Sequence, residues 1–216
     1  KETDRDALRI EIQETRIFVT TLASITGKME LFSIKQFQIA IIDEASQILE
    51  PQIIGLLPLF DKFILIGDHN QLATIVLQDE ESSKTDETQL KEIGITDCRE
   101  SFFERLLRRC KTQGWNNSFT QLTHQGRMHI DIAQFPSTHF YAENLFPAHA
   151  WQERQWSLNN VNGNIYDKYV TSKRTAFFST ENKVNEIISD KVNQAEADIT
   201  VELLKSIQRV YNNNDI

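Results

Sequence analysis

Ile39-Ala40-Ile41-Ile42-Asp43-Glu44-Ala45-Ser46-Gln47 is an apolar run that ends abruptly in two acids. Such a run reads as a strand buried on both faces, the way central strands of parallel, helix-covered sheets read. Asp43 and Glu44 then stand at its carboxyl end. In open α/β sheets ligands bind beyond those strand ends, where adjacent carboxylates can hold a divalent metal and activate a water. The plain alternative is that Asp43 caps the next helix.

The pattern around this stretch repeats it. Residues 2–14 predict an amphipathic helix, Arg16 to Thr21 a strand with an exit turn at Ser24 to Gly27, and Ser46 to Leu57 a helix that Pro51 enters or kinks and Pro58 closes. Phe63-Ile64-Leu65-Ile66 is a second short apolar run ending in Gly67-Asp68. Alternating strands and helices predict an α/β fold with a parallel sheet and flanking helices. Leu77 to about Cys98 lacks apolar periodicity and predicts a mobile loop or surface excursion. Ser101 to Cys110 predicts a helix with Arg105, Arg108 and Arg109 outside, facing solvent or meeting phosphate. Phe119 to Thr123 predicts a strand, and Met128, Ile132 and Phe135 share a helical spacing that favours core packing over base stacking. Residues 147–170 predict an irregular insertion, and Thr175 to Ser179 a strand opening a second sheet. Gln194 to Tyr211 predicts an amphipathic helix burying Ala197, Val201, Leu204 and Ile207.

Composition bounds the function. The 216 residues are 40% apolar, enough for a core, and the net charge of -8 argues against a broadly basic nucleic-acid surface without excluding a local one. No segment has the length of a membrane span, so no membrane partner is expected. Two cysteines without metal or redox spacing point to reduced thiols in an intracellular, cytoplasmic protein, and His124 and His129 lack the partners a metal site needs. The start without Met, inside a charged helical pattern, leads to the expectation of an internal piece of a larger protein.

Three stretches in order carry a resemblance. Asp43-Glu44-Ala45-Ser46-Gln47, then Leu65-Ile66-Gly67-Asp68-His69-Asn70-Gln71-Leu72, then Leu122-Thr123-His124-Gln125-Gly126-Arg127-Met128-His129 resemble the Walker B box, motif III and motif IV of superfamily 1 helicases. The branch resembled is the one related to the RNA-surveillance helicase and the DNA-replication helicase-nucleases. Arg16 to Gly27 and the Ser101 to Leu106 helix are similar to further parts of it, so the resemblance covers most of residues 16–145.

The resemblance implies a RecA-like (P-loop NTPase) sheet, with residues 1–124 forming the carboxyl-terminal part of a first motor domain and residues 125–216 the beginning of a second. It implies ATP and Mg²⁺ as cofactors and single-stranded or duplex nucleic acid, DNA or RNA, as partner. Asp43 would hold Mg²⁺, Glu44 would position the attacking water, and Gln71 would sense the γ-phosphate or that water. Asp68 would fix its own loop. Arg127 would act as an arginine finger or, in the plain alternative, form an interdomain salt bridge. Gln125 and Gly126 would lie on the nucleotide side, and Thr20 and Thr21 would face nucleic acid. Gly126 stands where the family has an adenine-stacking Tyr, and Ile130 where it has Pro. The sequence has no Gly-x-x-x-x-Gly-Lys-Ser/Thr, the loop that cradles phosphates. Two other readings share these residues: a P-loop switch or assembly ATPase, and a catalytically dead interaction module.

Overall fold

The computed structural model describes residues 2–72, 74, 76–154, 163–180 and 193–212. The chain forms two compact units, Lys1–Thr120 and Gln121–Ile216.

The first unit opens with helix α1 (Glu2–Glu14), as its pattern predicts. Arg16 to Thr21 does not become a ladder strand. Val19 is 95% exposed, and only Phe18 is tucked in, edge-on to Phe37 with centroids 5.1 Å apart. With no strand alongside, β propensity alone does not produce a ladder. Short helices α2 (Leu22–Thr26) and α3 (Leu31–Ile34) lead into strand β1 (Phe37–Ile42). A 3-10 turn over Ala45–Gln47, helix α4 (Glu50–Ile53) and a second 3-10 turn at Leu57–Leu59 follow, then strand β2 (Phe60–Leu65). The single helix predicted from Ser46 to Leu57 is thus broken. Pro51 in the first turn of α4 lacks the N–H, and its ring excludes the i−4 carbonyl, so the preceding turn cannot run into it.

β1 and β2 pair in parallel, with Ile42 opposite Leu65. The parallel α/β arrangement is present, but the sheet has two strands and is not a full RecA-like sheet. Nor is β1 covered on both faces. Ile42 packs on the core built on Ile53, Leu57 and Phe102, and Ala40 on the same face is buried, whereas Ile41 on the other face is 67% exposed, with no second layer over it among the described residues.

The segment predicted as a loose excursion is folded. It holds helices α5 (Glu80–Ser83), capped by the Asp79 side chain, and α6 (Thr88–Glu92), and it closes where the Cys98 N–H donates to the Ser83 carbonyl (2.9 Å). It is pinned to helix α7 (Phe102–Gln113). Arg105 donates to the Ile93 carbonyl (2.7 Å) and pairs with Glu50, and Arg108 donates to the Gly94 carbonyl (3.2 Å) and pairs with Glu100. Arg105, read from sequence as solvated or phosphate-facing, is a largely buried staple, whereas Arg108 keeps the exposed position its helix face predicts while bonding to the same segment. Such polar anchors need no apolar periodicity, which is why the pattern missed them.

The second unit contains strand β3 (His124–Gln125), helix α8 (Ile130–Phe140) and strand β4 (Phe146–Pro147), which pairs in parallel with β3. Phe119 to Thr123 and Thr175 to Ser179 lie outside any ladder, and β3 begins one residue past the first of these predicted strands. A 3-10 turn spans Ala150–Glu153. Of the predicted irregular insertion, residues 155–162 lie outside the described residues, and the rest includes helix α9 (Ile165–Ser172). Helix α10 (Gln194–Asn212) follows its prediction in extent but not in orientation. Leu204 is 59% exposed, with Val201 and Ile207 also outward, while Ser206 and Val210 are buried. The inward side carries Ile199, Leu203 and Val210, and an ionic contact with α9 lies beside it: Arg209 donates to the buried Asp167 carboxylate (2.8 Å) and to Ser206 Oγ (3.0 Å). The Ser206 hydroxyl, Arg209 and the Asn164 N–H together hold the Asp167 carboxyl below the usual carboxylate range. Phe135, predicted for the core, is exposed and meets only the His139 and Phe140 rings, 4.5 and 6.3 Å away by centroid.

Candidate nucleotide-hydrolysis site

The ends of β1 and β2 are fused by main-chain bonds that continue past the strands. The Ile66 N–H donates to the Ile42 carbonyl (2.8 Å), and the Ala45 N–H donates back to the Ile66 carbonyl (2.8 Å). The Asp68 N–H donates to Ser46 Oγ (3.1 Å). Gly67 makes this closeness possible: a Cβ there would stand 2.8 Å from the Ser46 nitrogen and 3.3 Å from the Ala45 nitrogen, both main-chain atoms.

On this joined base sit the predicted residues of the first unit. Asp43 Oδ1 accepts the Glu44 N–H (3.0 Å), and the Asp43 side chain is exposed. Glu44 is also exposed and sits in the left-handed region at φ 53°, a conformation that costs a non-glycine residue about 1 kcal/mol or more. Gln47 Nε2 donates to Glu44 Oε2 (3.3 Å). Asp68 binds its own loop, accepting from the Asn70 N–H (3.0 Å) and from Gln71 Nε2 (2.9 Å), so the Gln71 amide is held by its donor side. Asp43, Glu44 and Gln71 therefore occupy two loops that are locked to each other.

The donor chemistry fits Mg²⁺. Asp43 presents an exposed hard carboxylate, and no group of three His, Cys, Asp or Glu side chains able to hold a metal occurs among the described residues. Mg²⁺ bound with a nucleotide uses one or two carboxylates, phosphate oxygens and waters rather than a dedicated protein cage.

In the second unit Gln125 folds the segment that carries Arg127. Gln125 Oε1 accepts the N–H groups of Arg127 (2.9 Å) and Met128 (2.7 Å), and Nε2 donates to the Met128 carbonyl (2.8 Å). The amide of Gln125, predicted on the nucleotide side, is thus engaged within its own turn. Arg127 is exposed, and its guanidinium makes no ion pair among the described residues. Gly126 faces the His149 ring: a Cβ on Gly126 would lie 3.4 Å from His149 Nε2. His129 caps α8, with Nδ1 accepting the Asp131 N–H (3.1 Å) and Nε2 donating to the Arg154 carbonyl (2.9 Å), an assignment that makes it the Nε2–H tautomer. Thr21 caps α2 by accepting the Ser24 N–H (3.2 Å), and the Thr20 hydroxyl donates to the Thr21 carbonyl (3.2 Å). Both threonines are exposed.

Sequence reasoning missed Gln152, which is fully buried and spans from this turn to the stretch after β4. No periodicity or motif singles it out. Among the described residues no helix is long and apolar enough to cross a membrane.

Models of the AAA domain match residues 1–79 and 98–216. The chain is 34% identical over 140 residues to the DNA replication ATP-dependent helicase/nuclease DNA2 of Bos taurus, covering 64% of this chain and 11% of that protein. It is 33% identical over 111 residues to the ATP-dependent helicase upf1 of Schizosaccharomyces pombe, 51% of this chain and 10% of the relative. Helicase sen1 of the same yeast is 30% identical over 166 residues, 75% of this chain and 9% of its own length. The chain spans about a tenth of the length of these relatives. With two AAA-domain matches in sequence and these relatives aligned to it, the chain belongs to the superfamily 1 helicases, in the branch of the DNA-replication helicase-nucleases and RNA-surveillance helicases.

Proposed function

We propose that this chain is part of an ATP-dependent helicase or translocase working on a DNA or RNA strand in the cytoplasm. Residues 1–124 are assigned to the carboxyl-terminal part of a first RecA-like motor domain and 125–216 to the start of a second. The observation that carries the reading is the union of the two strand-end loops, which holds exposed Asp43, Glu44 and Gln71 on one rigid base.

Each residue has a role its chemistry suits. Asp43 would hold Mg²⁺, which would supply charge neutralisation to the bound phosphates. Glu44 accepts a proton from the attacking water through its carboxylate and orients it. Gln71, steered by Asp68, reports on the γ-phosphate side of the site. Arg127 meets charge developing on the transferred phosphoryl group. Gln125 and Gly126 border the nucleotide, with the Gln125 amide acting through the shape of its turn. Thr20 and Thr21 face the nucleic-acid backbone with hydroxyl and main-chain groups. Lacking the Gly-x-x-x-x-Gly-Lys-Ser/Thr loop, the 216-residue chain alone turns over ATP weakly.

The test is Glu44→Gln in the full-length protein. Nucleotide binding should persist while nucleic-acid-stimulated turnover falls about 100-fold or more. Turnover at the unmodified rate would remove Glu44 as the base, and ATPase indifferent to nucleic acid would favour a switch ATPase.

A further inference from the structure

An arginine that acts on a transition state is useful only if its backbone starts from a fixed place, because the long side chain supplies reach but little order. The Arg127 guanidinium has no ion-pair partner among the described residues to fix it. Its anchoring is the turn from Gln125 to Met128, and that turn is held from one side by Gln125 and from beneath by Gln152. Gln152 Nε2 donates to the Gln125 carbonyl (2.9 Å) and to the Met128 carbonyl (2.7 Å). Its Oε1 accepts the N–H groups of Ala148 (2.9 Å) and His149 (2.8 Å). The amide has two donor hydrogens and two acceptor lone pairs, and all are used at 0% exposure.

The two donated bonds bracket Arg127, one on each side of it in sequence, and tie both to the segment after β4. Gln152 has no hydrogen bond to the Arg127 guanidinium among the described residues, and it meets Gln125 through that residue's main-chain carbonyl. We propose that Gln152 is a positioning residue for Arg127, setting the base from which the guanidinium reaches the transferred phosphoryl group. This rests on the assignment of Arg127 as the arginine finger. A buried amide with four fixed partners suits such positioning, since it cannot reorient without leaving several polar groups unpaired at once.

The test is a double-mutant cycle in the full-length protein, with ATPase measured at saturating nucleic acid. Gln152→Met keeps length and volume but removes all four bonds. It should lower kcat about tenfold or more with KM for ATP little changed, and add nothing further in an Arg127→Ala background. Hydrogen exchange should show the Arg127 and Met128 amides less protected in Gln152→Met. The proposal is overturned if Gln152→Met lowers kcat by the same factor with and without Arg127, if kcat is unchanged, or if protection of those amides is unaltered. If Arg127→Ala alone leaves kcat intact, the assignment of Arg127 fails instead, and the proposal falls with it. Gln152→Glu, which keeps the acceptor toward Ala148 and His149, is judged by the same criteria if the Met variant does not fold.

Discussion

The loops at the ends of β1 and β2 and the turn that carries Arg127 are both built to hold polar groups still, by opposite means. The first is locked by main-chain bonds among Ile42, Ala45 and Ile66 and by a glycine pressed on Ser46. The second is locked by the side-chain amides of Gln125 and Gln152. A main-chain lock tolerates most side-chain changes and fails at the one position where a Cβ cannot fit. A side-chain lock fails wherever an amide is lost.

The largest expected break is therefore Gly67→Ala. The new methyl group meets the Ser46 nitrogen at 2.8 Å, and the two loops must part. We expect roughly 2–3 kcal/mol of destabilisation, read by denaturant unfolding, together with loss of ATPase in the full-length protein. Gln125→Met should cost less, about 1–2 kcal/mol, because its turn is partly exposed and water replaces some of the bonds. If it cost more than Gly67→Ala, the contrast between the two kinds of lock would be wrong. Ser46→Ala removes only the acceptor for the Asp68 N–H and should cost about 1 kcal/mol. Glu44→Gly should move the other way, gaining up to about 1 kcal/mol by relieving the positive φ while abolishing turnover. A loss of stability there would show that the Glu44 side chain holds the loop and not merely the site.

Side-chain locking also makes the second unit sensitive to acid. The Asp167 carboxyl is depressed below its ordinary 3.8, so the stability it lends to the α9–α10 pair is fully present above that value. It is lost as pH falls through the lower folded-state value. Asp167→Asn should flatten that part of the acid-unfolding curve of the second unit, and an unchanged curve would show that the contact with Arg209 contributes nothing.

The same contrast explains what could be read in the sequence. The apolar runs ending at Asp43-Glu44 and at Gly67-Asp68 reflect local main-chain geometry, so the parallel pairing of the two strands was legible. Gln152 bonds to Gln125, 27 residues away, and Arg209 to Asp167, 42 residues away, and neither leaves a periodic trace. For α10 the hydrophobic stripe named the wrong inner face: Ile199, Leu203, Ser206 and Val210 turn inward, and Val201, Leu204 and Ile207 outward. Arg105 was misread for a related reason: a surface charge pattern and a buried staple look alike until its partners Glu50 and the Ile93 carbonyl are seen.

The contact between Gly67 and Ser46 also starts a chain of side-chain bonds outside the β1–β2 ladder. Asp68 hangs from Ser46 and Gln71 from Asp68, so Gln71 is tethered to the segment that begins at Glu44 by two successive bonds, independently of the strand ladder.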